Sequence, residues 1–298
     1  MATIKKLGII GDPIWVGWEC EGIAASAVAF RRAGLVEAVR GVVDEVVDFG
    51  DIDVDLPPYD DSNPNLRNPE QVKAASRVIA DTVEQVVGDG YVPLIIGGED
   101  SVMLGILEGF RRALGPPIGQ VFMDAHGDFN LPETSPSGLI GGMENAILVG
   151  RGPEELTKLF RDEPQLAEEN VTLYGTRDLD GQEQIALDNS KVRVWTADRI
   201  RQAGPAAAMG EIVADLRSRV ENVYLHIDLD ILDASEMSAH VQPVPDGLTS
   251  DEFVTSVREL IASGLLAGLA VMVFDTAKDP TGSEAKKVVK LIADFLGA

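Results

Sequence analysis

The chain has 298 residues, 45% of them hydrophobic and 25% charged, an ordinary composition with ample apolar material for a core. Its 25 Lys and Arg stand against 49 Asp and Glu, a formal net charge of -24, which sets it against nucleic-acid backbones and anionic lipid as partners. The single cysteine, Cys20, excludes an internal disulfide and agrees with a cytoplasmic location; with nothing nearby to activate its thiol, it reads as a plain core or surface residue.

Along the chain, short β-branched runs alternate with longer stretches of helical spacing. "MATIKKLGIIGDP" has too short an apolar run for a signal peptide, and no segment approaches membrane-spanning length. The predicted strands are 6–11, 42–50, 92–98, 119–124, 171–176, 192–196, 223–230 and 269–274. Residues 51–68 form the one long turn-rich loop. Helical spacing is clearest over 69–87 and 203–220, and "TSDE" at 249–252 is a capping box in which Thr249 and Glu252 satisfy each other's free amides. The last helix is expected over 282–297. Near-continuously apolar strands separated by helices imply a mostly parallel sheet of about eight strands covered on both faces, a three-layer α/β/α architecture. No repeat and no Pro/Ser linker divides the chain, so residues 1–298 read as one domain.

In open parallel sheets ligands bind beyond the carboxyl ends of the strands, and the polar residues of this sequence gather there. "IIGGEDS" ends one strand with Glu99 and Asp100, "VFMDAHGDFN" ends the next with Asp124, His126 and Asp128, and "HIDLDILD" ends a third with Asp228 and Asp230. Alternate strand residues share a face, which places Asp228 beside Asp230 and His226 one step deeper. Like charges so close in a low-dielectric site repel strongly, and a bound cation relieves them. One DxD alone is usually a solvated loop pair; DxHxD and DxD together at strand ends point to a metal. Oxygen-rich ligands with one imidazole suit Mn²⁺ ahead of Mg²⁺, Fe²⁺ or Zn²⁺. The glycines of "VGWECEG" and "IIGGEDS" lack the GK[ST] of a nucleotide-binding loop.

These motifs resemble those of the arginase/agmatinase (ureohydrolase) family, in order and through nearly the whole chain. "GIIGDPIWVGWECEGIAASAVAFRRAGL" is similar to the family's first strand, glycine-bearing loop and helix. "IIGGEDSVMLG" stands where the family has GGDHS, "DAHGDFN" at its DAHxDxN, "HIDLDILDAS" at its xxDxDxLDP, and "PVPDGLTSDE" at its PVxGGLTxxE turn. "DAHGDFNLPETSPSGLIGGM" is nearer still to the branch that contains Nω-hydroxy-L-arginine hydrolases. The resemblance implies an arginase-like fold and two Mn²⁺ ions sharing a hydroxide that attacks an amidine or guanidine carbon. It implies Asp124, His126, Asp128, Asp228 and Asp230 as metal ligands, with Asp128 also passing a proton to the departing amine. Asn130 and Ser137 fall where the family binds the amino-acid end of its substrate.

Three positions depart from the family pattern. Asp100 replaces the histidine of GGDHS; an aspartate still suits a hard divalent ion, but makes the pair less Lewis acidic. Gly141 takes the place of a second histidine beside the substrate, with Glu144 nearby as a weak substitute. Val273 takes the place of the glutamate that pairs with a guanidinium, and Asp275, two residues on, is the candidate to replace it. His226 reads as a hydrogen-bonded structural residue and His240 as a surface residue. Two classes of function stay open: a binuclear metal hydrolase of a linear amidine C–N bond in a small molecule, and a fold relative with altered or lost catalysis that binds metal or a partner. Oligomeric state is not legible, although trimers are common in the family.

Overall fold

The computed structural model describes residues 3–16 and 21–297; Cys20 and most of the "VGWECEG" loop lie outside them. Eight strands form one parallel sheet: β1 (Lys6–Gly11), β2 (Glu45–Asp51), β3 (Val92–Ile96), β4 (Ile118–Met123), β5 (Val171–Thr176), β6 (Arg193–Thr196), β7 (Asn222–Asp228) and β8 (Leu266–Met272). Their order across the sheet is β2-β1-β3-β8-β7-β4-β5-β6, and every neighbouring pair is parallel. Helices cover both faces, as the continuously apolar strands require.

Strand alternation divides the core in two. Val121 and Met123 of β4 pack with Val223, Leu225 and Ile227 of β7 and with Ile212, Phe253 and Phe295 from the helices Pro205–Leu216, Ser250–Ser263 and Ser283–Leu296. Ile118 and Phe122, facing the other way, join Tyr224, Ile79 and Val83 and the helix Met103–Leu114. Each face therefore buries its own apolar layer.

All eight predicted strands are present; 6–11 and 171–176 match end to end, and the other six have shifted ends. The helix expected over 203–220 is shorter, because Gly204 (φ 84°) closes the preceding helix Ala197–Ala203 and Pro205 opens the next at its first turn. Thr249 accepts the Glu252 amide at 3.3 Å and Glu252 accepts that of Thr249 at 2.9 Å, so the capping box is formed. β8 stops at Met272, two residues before the predicted end, because Val273 turns into the left-handed region at φ 60°. Among the described residues no helix is long and apolar enough to cross a membrane.

The turn after β3 depends on two glycines. Gly97 and Gly98 adopt φ 84° and 77°, and a Cβ on Gly98 would lie 2.3 Å from the buried carboxylate of Asp12. Only glycine supplies both the left-handed backbone and the room. Replacing Gly98 with alanine should destabilise the protein by about 1–3 kcal/mol, read as a lowered midpoint in denaturant unfolding. A midpoint equal to that of the parent chain would show that the turn relaxes freely.

Candidate metal centre

β3, β8, β7 and β4 are consecutive across the middle of the sheet, and their carboxyl ends open into one cavity of about 270 Å³. Asp100, Asp124, His126, Asp128, Asp228 and Asp230 all line it, together with Asn130, Ser137, Gly141 and Val273. Each side chain arrives by a backbone device that ends a strand. After β3 the glycine pair turns the chain into a short 3-10 helix, Asp100–Val102, which presents Asp100. After β4 the chain passes through Asp124 and Ala125, whose amide donates to Asp230 Oδ1 at 2.8 Å, and reaches Asp128 in the left-handed region at φ 47°. After β7, Asp228 caps the 3-10 turn Leu229–Ile231 by accepting the Asp230 amide at 2.7 Å. Asp228 and Asp230 thus meet through a turn and not, as expected, by alternation along one strand.

His126 sits between two carboxylates, its Nδ1 2.9 Å from Asp230 Oδ2 and 3.2 Å from Asp124 Oδ1. Burial alone would lower its pKa, but hydrogen bonds to Asp124 and Asp230 raise it to about 11. The same contact keeps Asp230 below the usual carboxylate range against the opposing effect of burial. The other acids move the opposite way. Burial, reinforced by the Asp230 charge, lifts Asp100 and Asp124 to about 7. Burial, reinforced by neighbouring acids, lifts Asp128 and Asp228 well above the ordinary range.

Such a set fits divalent cations. Two groups of ligand atoms, Asp124 with His126 and Asp230, and Asp100 with Asp124 and Asp128, each lie mutually within 4.8 Å. Carboxylates held protonated by burial, and further by one another's charge, are the groups a divalent ion would ionise, and oxygen donors with one imidazole match Mn²⁺-type chemistry.

The expected substrate residues divide. Asn130 is buried and donates to Asp180 Oδ2 at 3.0 Å, and Ser137 lies exposed at the rim, accepting the Leu139 amide at 3.2 Å. Asp275 does not reach the cavity. The left-handed turn at Val273 breaks the alternation that would have aimed it there, and its carboxylate accepts the Ala277 amide at 2.9 Å, packed against Gly22. Val273 itself forms the wall, as an apolar surface.

His226 is fully buried and hydrogen-bonded, as its position below Asp228 suggests. His240 is not a surface residue: the loop after β7 folds back so that it bridges Phe274, and the residue is buried at the cavity edge. Beside Gly141, Glu99 Oε2 would lie 2.9 Å and Glu144 Oε1 3.8 Å from an added Cβ. Both glutamates are buried, and burial raises Glu99 to about 7 and Glu144 well above the usual range. Asp178, Asp180 and Glu183 also line the cavity and were not anticipated. They follow β5 in "TRDLDGQE", so the rule that picked out the other acids, acidic residues just past a strand, would have found them.

These shifts fix a pH dependence for the metal-free protein. Glu99, Asp100 and Asp124 keep their protons in the fold up to about pH 7, whereas the unfolded chain releases them near about pH 4. The folded state therefore binds more protons between those values, and stability falls as pH rises through 7. Metal-free protein should melt at a lower temperature at pH 8.5 than at pH 6.5, and added Mn²⁺ should reverse the difference. A flat profile without metal would mean that these acids ionise freely in the fold.

The model of the arginase family matches residues 5–297. The chain is 31% identical to the arginase of Bacillus caldovelox over 99% of both chains, and 31% identical to that of Brevibacillus brevis over 98% of both. Its fold matches a crystal structure of the arginase from Bacillus cereus with a TM-score of 0.90, 31% identity and 99% coverage of both chains.

Proposed function

The chain belongs to the arginase family, and from that premise we propose that it is a binuclear-metal amidinohydrolase that cleaves a C–N bond of a linear amidine. The observation that carries the reading is the convergence of Asp100, Asp124, His126, Asp128, Asp228 and Asp230 on one cavity from the ends of β3, β4 and β7 in the middle of the sheet. These six residues would hold two divalent ions, with Mn²⁺ suited to their oxygen-rich donors. When bound, such ions acidify water and so supply a nucleophile near neutral pH.

The protein's own groups then divide the remaining work. Asp128, turned inward by its left-handed backbone, hydrogen-bonds the reacting centre and passes a proton to the departing nitrogen. Asn130 and Ser137 offer an amide and a hydroxyl to a substrate carboxylate. Asp178, Asp180 and Glu183 make the same side of the cavity strongly acidic, which suits an α-ammonium group. An amino acid with an amidine at the end of its side chain satisfies both ends of the cavity.

Val273 sets the choice among such substrates. A guanidinium against this wall lacks a carboxylate partner, and losing one side of a buried ion pair costs about 3–5 kcal/mol. An N-hydroxyguanidine is much less basic, can bind uncharged, and tolerates an apolar surface. Nω-hydroxy-L-arginine is therefore the substrate proposed, giving hydroxyurea and ornithine, with arginine a poor one.

Steady-state assays with Mn²⁺ should show kcat/KM for hydroxyarginine above that for arginine by roughly a hundredfold or more. Equal values would defeat the substrate assignment, and no turnover of either would favour a relative with lost catalysis. Asp128→Asn preserves shape but removes an anionic ligand and proton carrier; kcat should fall by roughly 10²–10⁴. Unchanged kcat would remove Asp128 from the mechanism.

A further inference from the structure

The two groups of ligand atoms at the centre are chemically unlike. Asp124, His126 and Asp230 combine oxygen with an imidazole, whereas Asp100, Asp124 and Asp128 offer oxygen alone. They share Asp124, so any difference between them comes from the remaining residues, above all from Asp100 on one side and His126 on the other.

Asp100 is held by a buried chain of contacts behind it. His226 Nε2 lies 2.7 Å from Asp100 Oδ1, and His226 Nδ1 lies 2.9 Å from the Tyr224 hydroxyl. The imidazole is fully buried and stacks on Phe122, with ring centres 4.8 Å apart and planes 16° from parallel. With Nε2–H donating to the carboxylate and Nδ1 accepting from Tyr224, both ring nitrogens are used. His226 therefore has no lone pair free for a cation, and its fixed ring commits one oxygen of Asp100. The other carboxylate oxygen remains available to the cavity.

We propose that the centre has two unequal cation positions: an oxygen-only position fixed by the His226–Asp100 hydrogen bond, selective for hard ions, and a His126 position that prefers borderline ions such as Zn²⁺. This rests on the metal-hydrolase reading above and goes further, since it assigns a metal preference to each position and makes His226 a positioning residue. Donor softness sets the preference: carboxylate oxygens suit Mg²⁺ and Mn²⁺, and imidazole suits Zn²⁺. Hydrogen-bond partners behind a ligand commonly tune metal affinity by about 10–100-fold.

The test uses the whole chain and reads metal directly. Crystals grown with equimolar Zn²⁺ and Mn²⁺ and measured at each absorption edge should show zinc beside His126 and manganese beside Asp100. Equal mixing at both positions, or the reverse placement, overturns the proposal. In titrations with Mn²⁺ alone, His226→Ala should weaken one of two binding events by about 10–100-fold and leave the other unchanged, while His226→Gln, which keeps a donor, should restore most of the loss. Two undisturbed events in His226→Ala overturn the role of His226. Should that variant fail to fold, Asp100→Asn, which keeps the side chain's shape, must weaken one of the two binding events and leave the other unchanged. Parent protein that binds no metal at all refutes the metal-hydrolase reading itself, an outcome distinct from two ions bound without discrimination.

Discussion

Carboxylates repel one another, and β3, β4 and β7 deliver Asp100, Asp124, Asp128 and Asp228 to a single buried cavity. Much of the surrounding structure works to keep that crowd in place. In the metal-free protein the raised pKa of His126 keeps a positive charge between Asp124 and Asp230, a place a cation would take over. Backbone amides of Ala125 and Asp230 donate to the acids. Arg177 spans the edge, its guanidinium donating to the Asp230 carbonyl at 2.6 Å and the Val244 carbonyl at 3.0 Å, which ties the β7 turn to the loop beyond it.

The sheet bears this load because its central strands are buried and largely apolar. β4 is buried from end to end, and its alternate residues feed two separate cores. Apart from His226 and Asp228 of β7, the polar groups of the site follow the strands, where 3-10 turns and left-handed residues can aim side chains that a pleated strand would scatter to opposite faces. Rigid strands fix the origin of each turn, and the turns fix the donors.

The parallel architecture and the acids of the centre were legible because both follow from simple periodicity. Apolar runs flanked by turn residues marked the strands, and Asp124, His126, Asp128, Asp228 and Asp230 followed them directly. The failures came where the backbone leaves the strand. Asp275 was assigned by extending alternation through Val273, which the left-handed turn interrupts. Asp230 reaches its partner through a turn whose geometry is not written in the spacing. His240 looked exposed because loop residues usually are, whereas its burial comes from a bridge to Phe274, 34 positions along the chain, a tertiary contact with no local trace. Asp100 was visible as a departure, but its fixation by His226 depends on a sheet order that puts only β8 between β3 and β7, strands far apart in the sequence.

The bend at Val273 also joins two parts of the site that have different duties. Its amide donates to the Gly98 carbonyl at 3.0 Å, so the apolar wall is fastened to the glycine turn that presents Asp100. Wall and ligand loop cannot drift independently. Because the tie is made by a backbone amide, any residue but proline keeps it, and the side chain of the wall can change while the ligand loop stays fastened. A lineage could then alter its choice of substrate at this position and still hold its metal ligand in place.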